Sequence, residues 1–233
     1  MKTIVLLFAG CLLVTGLSAQ QTHKILIKAG DDIGIALAKE VYLFSDFTIG
    51  MVGLKDGSAS KGLLNYNMLN EEMQFIATKG DTLSLAEEHT IKFVTVGVDS
   101  FFYDHGYLQL IASSAVVKLA VKQRLKVIDK QRIGAYNQPS PTGSIEAQNT
   151  YNSGAISHRL NVREDILMAK QTDYYLGDKY NHFVSANKKN LVKLFSKKQD
   201  EIEDFLRTKR IDLNKVEDLV TLIGFLNKIV PAG

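Results

Sequence analysis

Residues 63–77 read LLNYNMLNEEMQFIA. A turn at Asn70-Glu71 folds this stretch back on itself. It sets Met68 opposite Met73, Tyr66 opposite Phe75 and Asn67 opposite Gln74. Side chains alternate across a strand, so Leu64, Tyr66, Met68, Met73 and Phe75 share one apolar face. Asn65, Asn67 and Gln74 fall on the other. A slip of one residue would mix the two faces, so the side each residue presents is strongly specified.

Outward from this hairpin the β texture continues. Lys55-Asp56-Gly57 and Lys79-Gly80-Asp81 mark turns on either side. Ile91 to Val96 is strand-like, Gly97-Val98-Asp99-Ser100 turns, and Phe101-Phe102-Tyr103 returns. Asp104-His105-Gly106 fits a three-residue loop with glycine in the left-handed region, and Tyr107 to Ile111 follows as a strand. Short strands with tight turns predict an antiparallel β meander, either a sandwich or a curled half-barrel.

The period changes near residue 186. Asn187 is placed to cap a helix through Leu191, Leu194 and Phe195. Ser196-x-x-Gln199 and Asn214-x-x-Glu217 resemble capping boxes ahead of further apolar stripes, the last through Leu219, Leu222, Ile223, Leu226 and Ile229. The expected class is α+β, an antiparallel β domain followed by a small C-terminal helical module. The expected division is a signal peptide over 1–19, a β domain over 20–185 with a polar loop near 129–159, and about three short helices over 186–230.

The amino terminus supports export. Lys2 precedes an apolar run from Ile4 to Val14, and Leu17-Ser18-Ala19 offers a small residue for cleavage after Ala19. The run is shorter than the roughly 20 residues a transmembrane helix needs. Phe8-Ala9-Gly10-Cys11 partly resembles a lipoprotein box, but the apolar run continues past Cys11 as a signal core does. The expected location is therefore periplasmic, outer-membrane-associated or secreted.

The 233 residues include one Cys, three Pro and no Trp, which excludes a disulfide framework and a multi-cysteine zinc site. A net charge of +3 is too small an excess to argue for nucleic acid.

Several segments resemble a group of uncharacterised exported proteins of Bacteroidetes-type bacteria. They are Tyr42-Leu43-Phe44-x-x-Phe47-x-x-Gly50, Leu64-Asn65-Tyr66-Asn67 with Glu72-Met73-Gln74-Phe75, and Gly80-Asp81-Thr82-Leu83. In the tail they are Ala186-Asn187-Lys188-Lys189 through Leu194-Phe195, Asp218-Leu219 and Leu226-Asn227. The resemblance spans most of the chain after residue 19. It implies an envelope or secreted location and carries no established activity.

Local catalytic signatures are absent from the sequence: no Gly-x-Ser-x-Gly, no His-Glu-x-x-His and no Gly-x-x-x-x-Gly-Lys-Ser/Thr occurs. The five His are widely spaced and read as turn or surface residues. Asp31-Asp32, and Asp99 with Asp104, could pair as carboxylates, but such Asp residues beside turns ordinarily bond the backbone. No cofactor and no metal are expected.

Two polar arrays remain. Asn65, Asn67 and Gln74 form an amide row able to bind a sugar or a peptide strand by paired donors and acceptors. The plainer account is a solvated face or a row holding a neighbouring loop. In residues 117–127, Val117, Leu119, Val121, Leu125 and Val127 alternate with Lys118, Lys122, Arg124 and Lys126. This basic face could meet an anionic glycan, a lipid head group or an acidic envelope protein. Alternatively it is an edge strand guarded by Lys, or a helix through Val117, Val121, Leu125 and Ile128. The lysines from Lys188 to Lys198 precede Asp200, Glu201, Glu203 and Asp204 and read as a solvated helical surface. The sequence therefore points to a non-enzymatic binding or interaction protein. The alternatives are a hydrolytic enzyme with a dispersed site and a lipid-binding half-barrel carrier.

Overall fold

The computed structural model describes residues 24–133, 139–141 and 165–230. The segment over 1–19, with its cleavage position and Cys11, lies outside the described residues. So do His23, His158 and most of the span read as a polar loop.

The described residues form an α+β protein. Its strands are β1 (Lys24–Ile27), β2 (Thr48–Leu54), β3 (Ala59–Asn67), β4 (Glu72–Ile76), β5 (Thr82–Ser84), β6 (Ile91–Val96), β7 (Asp99–Tyr103), β8 (Tyr107–Ser113), β9 (Lys118–Ile133), β10 (Pro139–Pro141), β11 (Asp165–Gly177) and β12 (Phe183–Ser185). The helices are α1 (Ile33–Leu37), α2 (Lys188–Leu194), α3 (Gln199–Lys209) and α4 (Val216–Ile229). All strands join one antiparallel sheet in the order β1-β11-β9-β8-β7-β6-β2-β3-β4-β5, with β10 on β9 and β12 on β11. It contains two meanders, β2–β5 and β6–β9. They are joined because β6 pairs back onto the free side of β2 rather than continuing past β5.

The register of the β3–β4 hairpin differs from the sequence expectation by two residues. Tyr66 faces Met73, Leu64 faces Phe75, Asn65 faces Gln74 and Asn67 faces Glu72. The turn is thus four residues long, 68–71. The cause is the Asn67 side chain, whose Oδ1 accepts from the N–H groups of Leu69 and Asn70, both at 3.0 Å. Glu71 closes the turn at a φ of 58°. A shift of two preserves the faces, so Leu64, Tyr66, Met68 and Met73 are still buried together. The next turn is tighter than expected. Val96 pairs directly with Asp99, leaving Gly97 and Val98 as a two-residue loop with Gly97 at a φ of 59°.

β9 is neither an edge strand nor a helix. It lies inside the sheet, between β8 and β11. It also runs to Ile133, into the span read as loop from residue 129, because β11 pairs with it as far as Gln131. The alternation over 117–127 is that of a strand with one apolar face buried, here Val117, Leu119, Val121 and Leu125, and Lys118, Lys122 and Arg124 have partners described below.

Two cores share the sheet. One gathers Ile27, Leu64, Tyr66, Met73, Val94, Phe101, Tyr107 and Leu125 inside the curl. The other packs Leu191, Ile202, Leu219, Leu222 and Leu226 of the helices on Val117, Leu119 and Leu176. The helical stripes are therefore buried on the strands and on one another; the rings of Phe205 and Phe225 stack 3.9 Å apart. Asn187 caps α2 through Asn190 N–H, as its sequence position suggests. The two capping boxes do not form. Ser196 falls in a 3₁₀ turn, and Lys198 and Lys215 occupy the N-cap positions of α3 and α4 without a side-chain bond. Asp218 instead accepts from Asp212 N–H, which holds the turn before α4.

Candidate functional site

The site follows from a mismatch in strand length. β9 is paired by β11 along one side, but on the other side β8 pairs with it only from Lys118 to Val121. Past that point Leu125 N–H donates to the Met68 carbonyl at 2.9 Å. The sheet thus curls until the end of β3 meets β9, with no ladder joining them. The β3–β4 turn and the β7–β8 turn diverge over β9 and leave a cleft of about 640 Å³. That is within the range of about 300–1,000 Å³ usual for small-ligand sites.

Four segments line the cleft. Asn70 and Glu71 come from the β3–β4 turn, Glu72 from the start of β4, and Leu85, Glu87, Glu88 and His89 from the connection into β6. Tyr103 comes from the end of β7, His105 and Gly106 from the β7–β8 turn, and Lys122 from β9. Backbone geometry shapes these turns, with Glu71, Glu87, His105 and Gly106 all at positive φ. The Gly106 carbonyl accepts from Asp104 N–H at 3.0 Å, closing the three-residue loop expected there.

The lining is rich in carboxylate. Lys122 is only 11% exposed at its side chain and bonds Glu71 at 2.5 Å. Arg124 stands 3.9 Å from Glu71 and 2.6 Å from Asp173. Glu72 accepts from the Ser84 hydroxyl at 2.6 Å. Glu87 meets only the exposed His89, at 3.6 Å. The one lysine of the lining is therefore engaged by the first of four glutamates, and carboxylates remain in excess.

Beneath these acids lie Tyr66 and Tyr107, each 1% exposed, with ring centroids 6.1 Å apart. The Tyr66 hydroxyl has no hydrogen-bond partner. Burial pushes the Tyr107 phenol well above its ordinary pKa of 10.0, and Glu88 pushes it further; Tyr103 and Glu72 add to this. Burial does the same to Tyr66, followed by Glu71. Such buried unpaired groups are rare in folded proteins.

A pH dependence follows. Both phenols have folded pKa values above the unfolded one, so their contribution to stability is complete below about pH 10 and is lost as pH rises beyond it. Phenolate absorbance from Tyr66 and Tyr107 should appear only together with unfolding. The Tyr66→Phe, Tyr107→Phe double variant should unfold at higher pH than wild type, and an unchanged midpoint would refute this.

The structure places the sequence candidates differently from one another. Asn65 and Asn67 are 1% and 7% exposed and hold the segment before β2. Asn65 Nδ2 donates to the Phe44 carbonyl at 2.8 Å, and its Oδ1 accepts from Phe44 N–H at 3.2 Å. Gln74 Oε1 accepts from the Tyr42 hydroxyl at 2.9 Å and from Asn67 Nδ2 at 3.3 Å. The amide row is thus not a solvated face. The basic stripe is not a free polycation either. Lys118 bonds Asn181 and lies over the Phe102 ring, while Lys122 and Arg124 pair with Glu71 and Asp173; Lys126 sits opposite Ala169. Only Lys122 reaches the cleft.

Asp99 accepts from Gln109, and Asp104 from Phe183 N–H, so these carboxylates fix loops. Among the described residues no group of His, Cys, Asp or Glu is arranged to hold a metal ion. No described helix is long and apolar enough to cross a membrane.

Sequence reasoning passed over Glu71-Glu72, Glu87-Glu88, Tyr103 and Tyr107. The two acidic doublets, each in a turn, were the available signal. Nothing local showed that β9 would bring those turns together. Comparison of the chain with protein-family models, with curated proteins and with solved structures gives no match.

Proposed function

We propose that the chain is an exported binding protein of the cell envelope that takes its ligand in the cleft over β9. The observation that carries this reading is a polar cleft of ligand size lined by four segments that lie far apart in sequence. The signal-like amino terminus and the resemblance to exported proteins support the location. The interior of the curl is filled by Tyr66, Phe101, Tyr107, Leu64 and Met73, so among the described residues an acyl chain has no apolar lumen to enter. The carrier alternative therefore gains no support.

Purified protein lacking residues 1–19 should be screened by thermal shift against amines, oligosaccharides, peptides and fatty acids. An Asn70→Trp variant, which sets an indole across the cleft, serves as the control. Stabilisation by one class that is lost in the variant is the expected result. Stabilisation unaffected by the indole would place the ligand elsewhere.

A hydrolytic reading draws on one specific observation, the convergence of Glu72, Glu87 and Glu88 on the same cleft. It requires turnover of a chromogenic ester or glycoside that falls in Glu72→Gln and Glu88→Gln. Binding without turnover leaves the binding reading alone.

A further inference from the structure

We infer that the β3–β4 turn is a latch that swings on and off β9, closing and opening the cleft. The motion needs no ligand, and its use as a gate rests on the cleft being the ligand site. The seam follows from the strand lengths. β8 accompanies β9 only as far as Val121, while β11 accompanies it to Gln131. Past Val121 the turn meets the edge of β9, and among the described residues one backbone bond crosses, from Leu125 N–H to the Met68 carbonyl. Glu71 adds the side-chain contact, bonding Lys122 at 2.5 Å and standing 3.9 Å from Arg124. Releasing the turn thus breaks one backbone bond and the pairing of one carboxylate, and leaves every strand ladder intact. Local opening draws on such lightly tied parts of a fold.

The turn is built to move as a unit. Asn67 Oδ1 binds it internally through the N–H groups of Leu69 and Asn70. Met68 N–H donates to the Val41 carbonyl at 2.7 Å and gives it a pivot. Closure also has a cost. Glu71 sits at a φ of 58°, and Arg124 Nε is buried at the seam without a hydrogen-bond partner. Against this, Met68 and Leu125 are 4% and 6% exposed, so the closed form dominates and the open form is a minor state. Asn70 and Glu71 of the turn and Lys122 of β9 all line the cleft, so the swing widens it.

The test is amide exchange, read residue by residue in the chain lacking residues 1–19. Leu125 N–H faces the seam, so those of Arg124 and Lys126 face β11. Leu125 is expected to exchange at least about tenfold faster than these two. Glu71→Gln should speed Leu125 by about a further tenfold and leave them unchanged, as loss of a charged pairing implies. The one Cys of the sequence, Cys11, lies within residues 1–19. Met68→Cys with Leu125→Cys, two positions in the same core, therefore adds a single closable pair. Its oxidised form should slow the amide at position 125 to the rate of its neighbours. It should also slow association of the compound that stabilises wild type most in the thermal-shift screen, and reduction should restore both. Exchange at Leu125 equal to that of Arg124 and Lys126, in wild type and in Glu71→Gln alike, would overturn the latch. Equal association with the oxidised and reduced pair would overturn its role as a gate. Failure of the cleft as ligand site shows apart from both, as stabilisation that Asn70→Trp leaves unchanged.

Discussion

Replacing Tyr66 by Ala is expected to cost about 3–5 kcal/mol, the range for truncating a fully buried aromatic side chain. Tyr66 has the environment for such a loss. Its ring lies 6.1 Å from both Phe101 and Tyr107 inside the curl, and its strand neighbour Met73 is fully buried. The Tyr66→Phe variant separates ring from hydroxyl. That hydroxyl is buried without a partner, so its removal deletes an unsatisfied group and should leave stability equal to wild type or higher. Denaturant melts of the two variants decide the matter. If Tyr66→Phe loses as much as Tyr66→Ala, the hydroxyl has a partner and the account of this core is wrong.

Gly50→Ala should come close in severity, for a different reason. β2 lies between β3 and β6, and a Cβ at Gly50 would overlap the Thr95 carbonyl oxygen and come within 2.8 Å of Leu64 Cδ1. The carbonyl belongs to a paired strand, so relief requires breaking a ladder. A loss at or above the upper end of the ~1–3 kcal/mol range for overpacking is expected. Gly62 faces Gly50 across β3 but has nothing within 4 Å of its Cβ position. Gly62→Ala should therefore fall within about 0.5 kcal/mol of wild type. Equal melts for the two glycine variants would show that the register of β2 is wrong.

The faces of the β3–β4 hairpin were legible in the sequence because a strand has period two. Leu64, Tyr66 and Met73 are buried as that alternation demands. Its register was not legible, because a shift of two leaves the same pattern, and the choice belongs to the Asn67 side chain within the turn. The role of Asn65 and Asn67 was hidden for a related reason. Alternation says which residues leave the core face, not whether a loop such as 42–47 covers them. The lysines of β9 show the limit most clearly. Lys118, Lys122, Arg124 and Lys126 look like a charged stripe when only neighbours in sequence are counted. Their partners Asn181, Glu71 and Asp173 lie far away along the chain. The cleft has the same origin. It exists because β9 outruns β8 and is met by Met68, a contact between residues 57 positions apart that no local pattern announces.

The same logic explains why the helical tail was read more fully than the sheet. A helix satisfies most of its backbone within one segment, so the apolar stripe of α4 could be read directly. Its termini could not, since Asp212, Asn214 and Asp218 settle the turn before it by bonds that compete with the expected capping box.

The claim that the cleft over β9 is the ligand site is tested most directly by mapping backbone amide shifts during titration of the isotope-labelled chain with the compound that stabilises it most in the thermal-shift screen. The account predicts that the largest shifts cluster at Asn70, Glu71, Glu88, His89 and Gly106, three turns distant in sequence and joined only by the cleft. Shifts gathered instead on the helices, or spread evenly over the acidic surface, would contradict it.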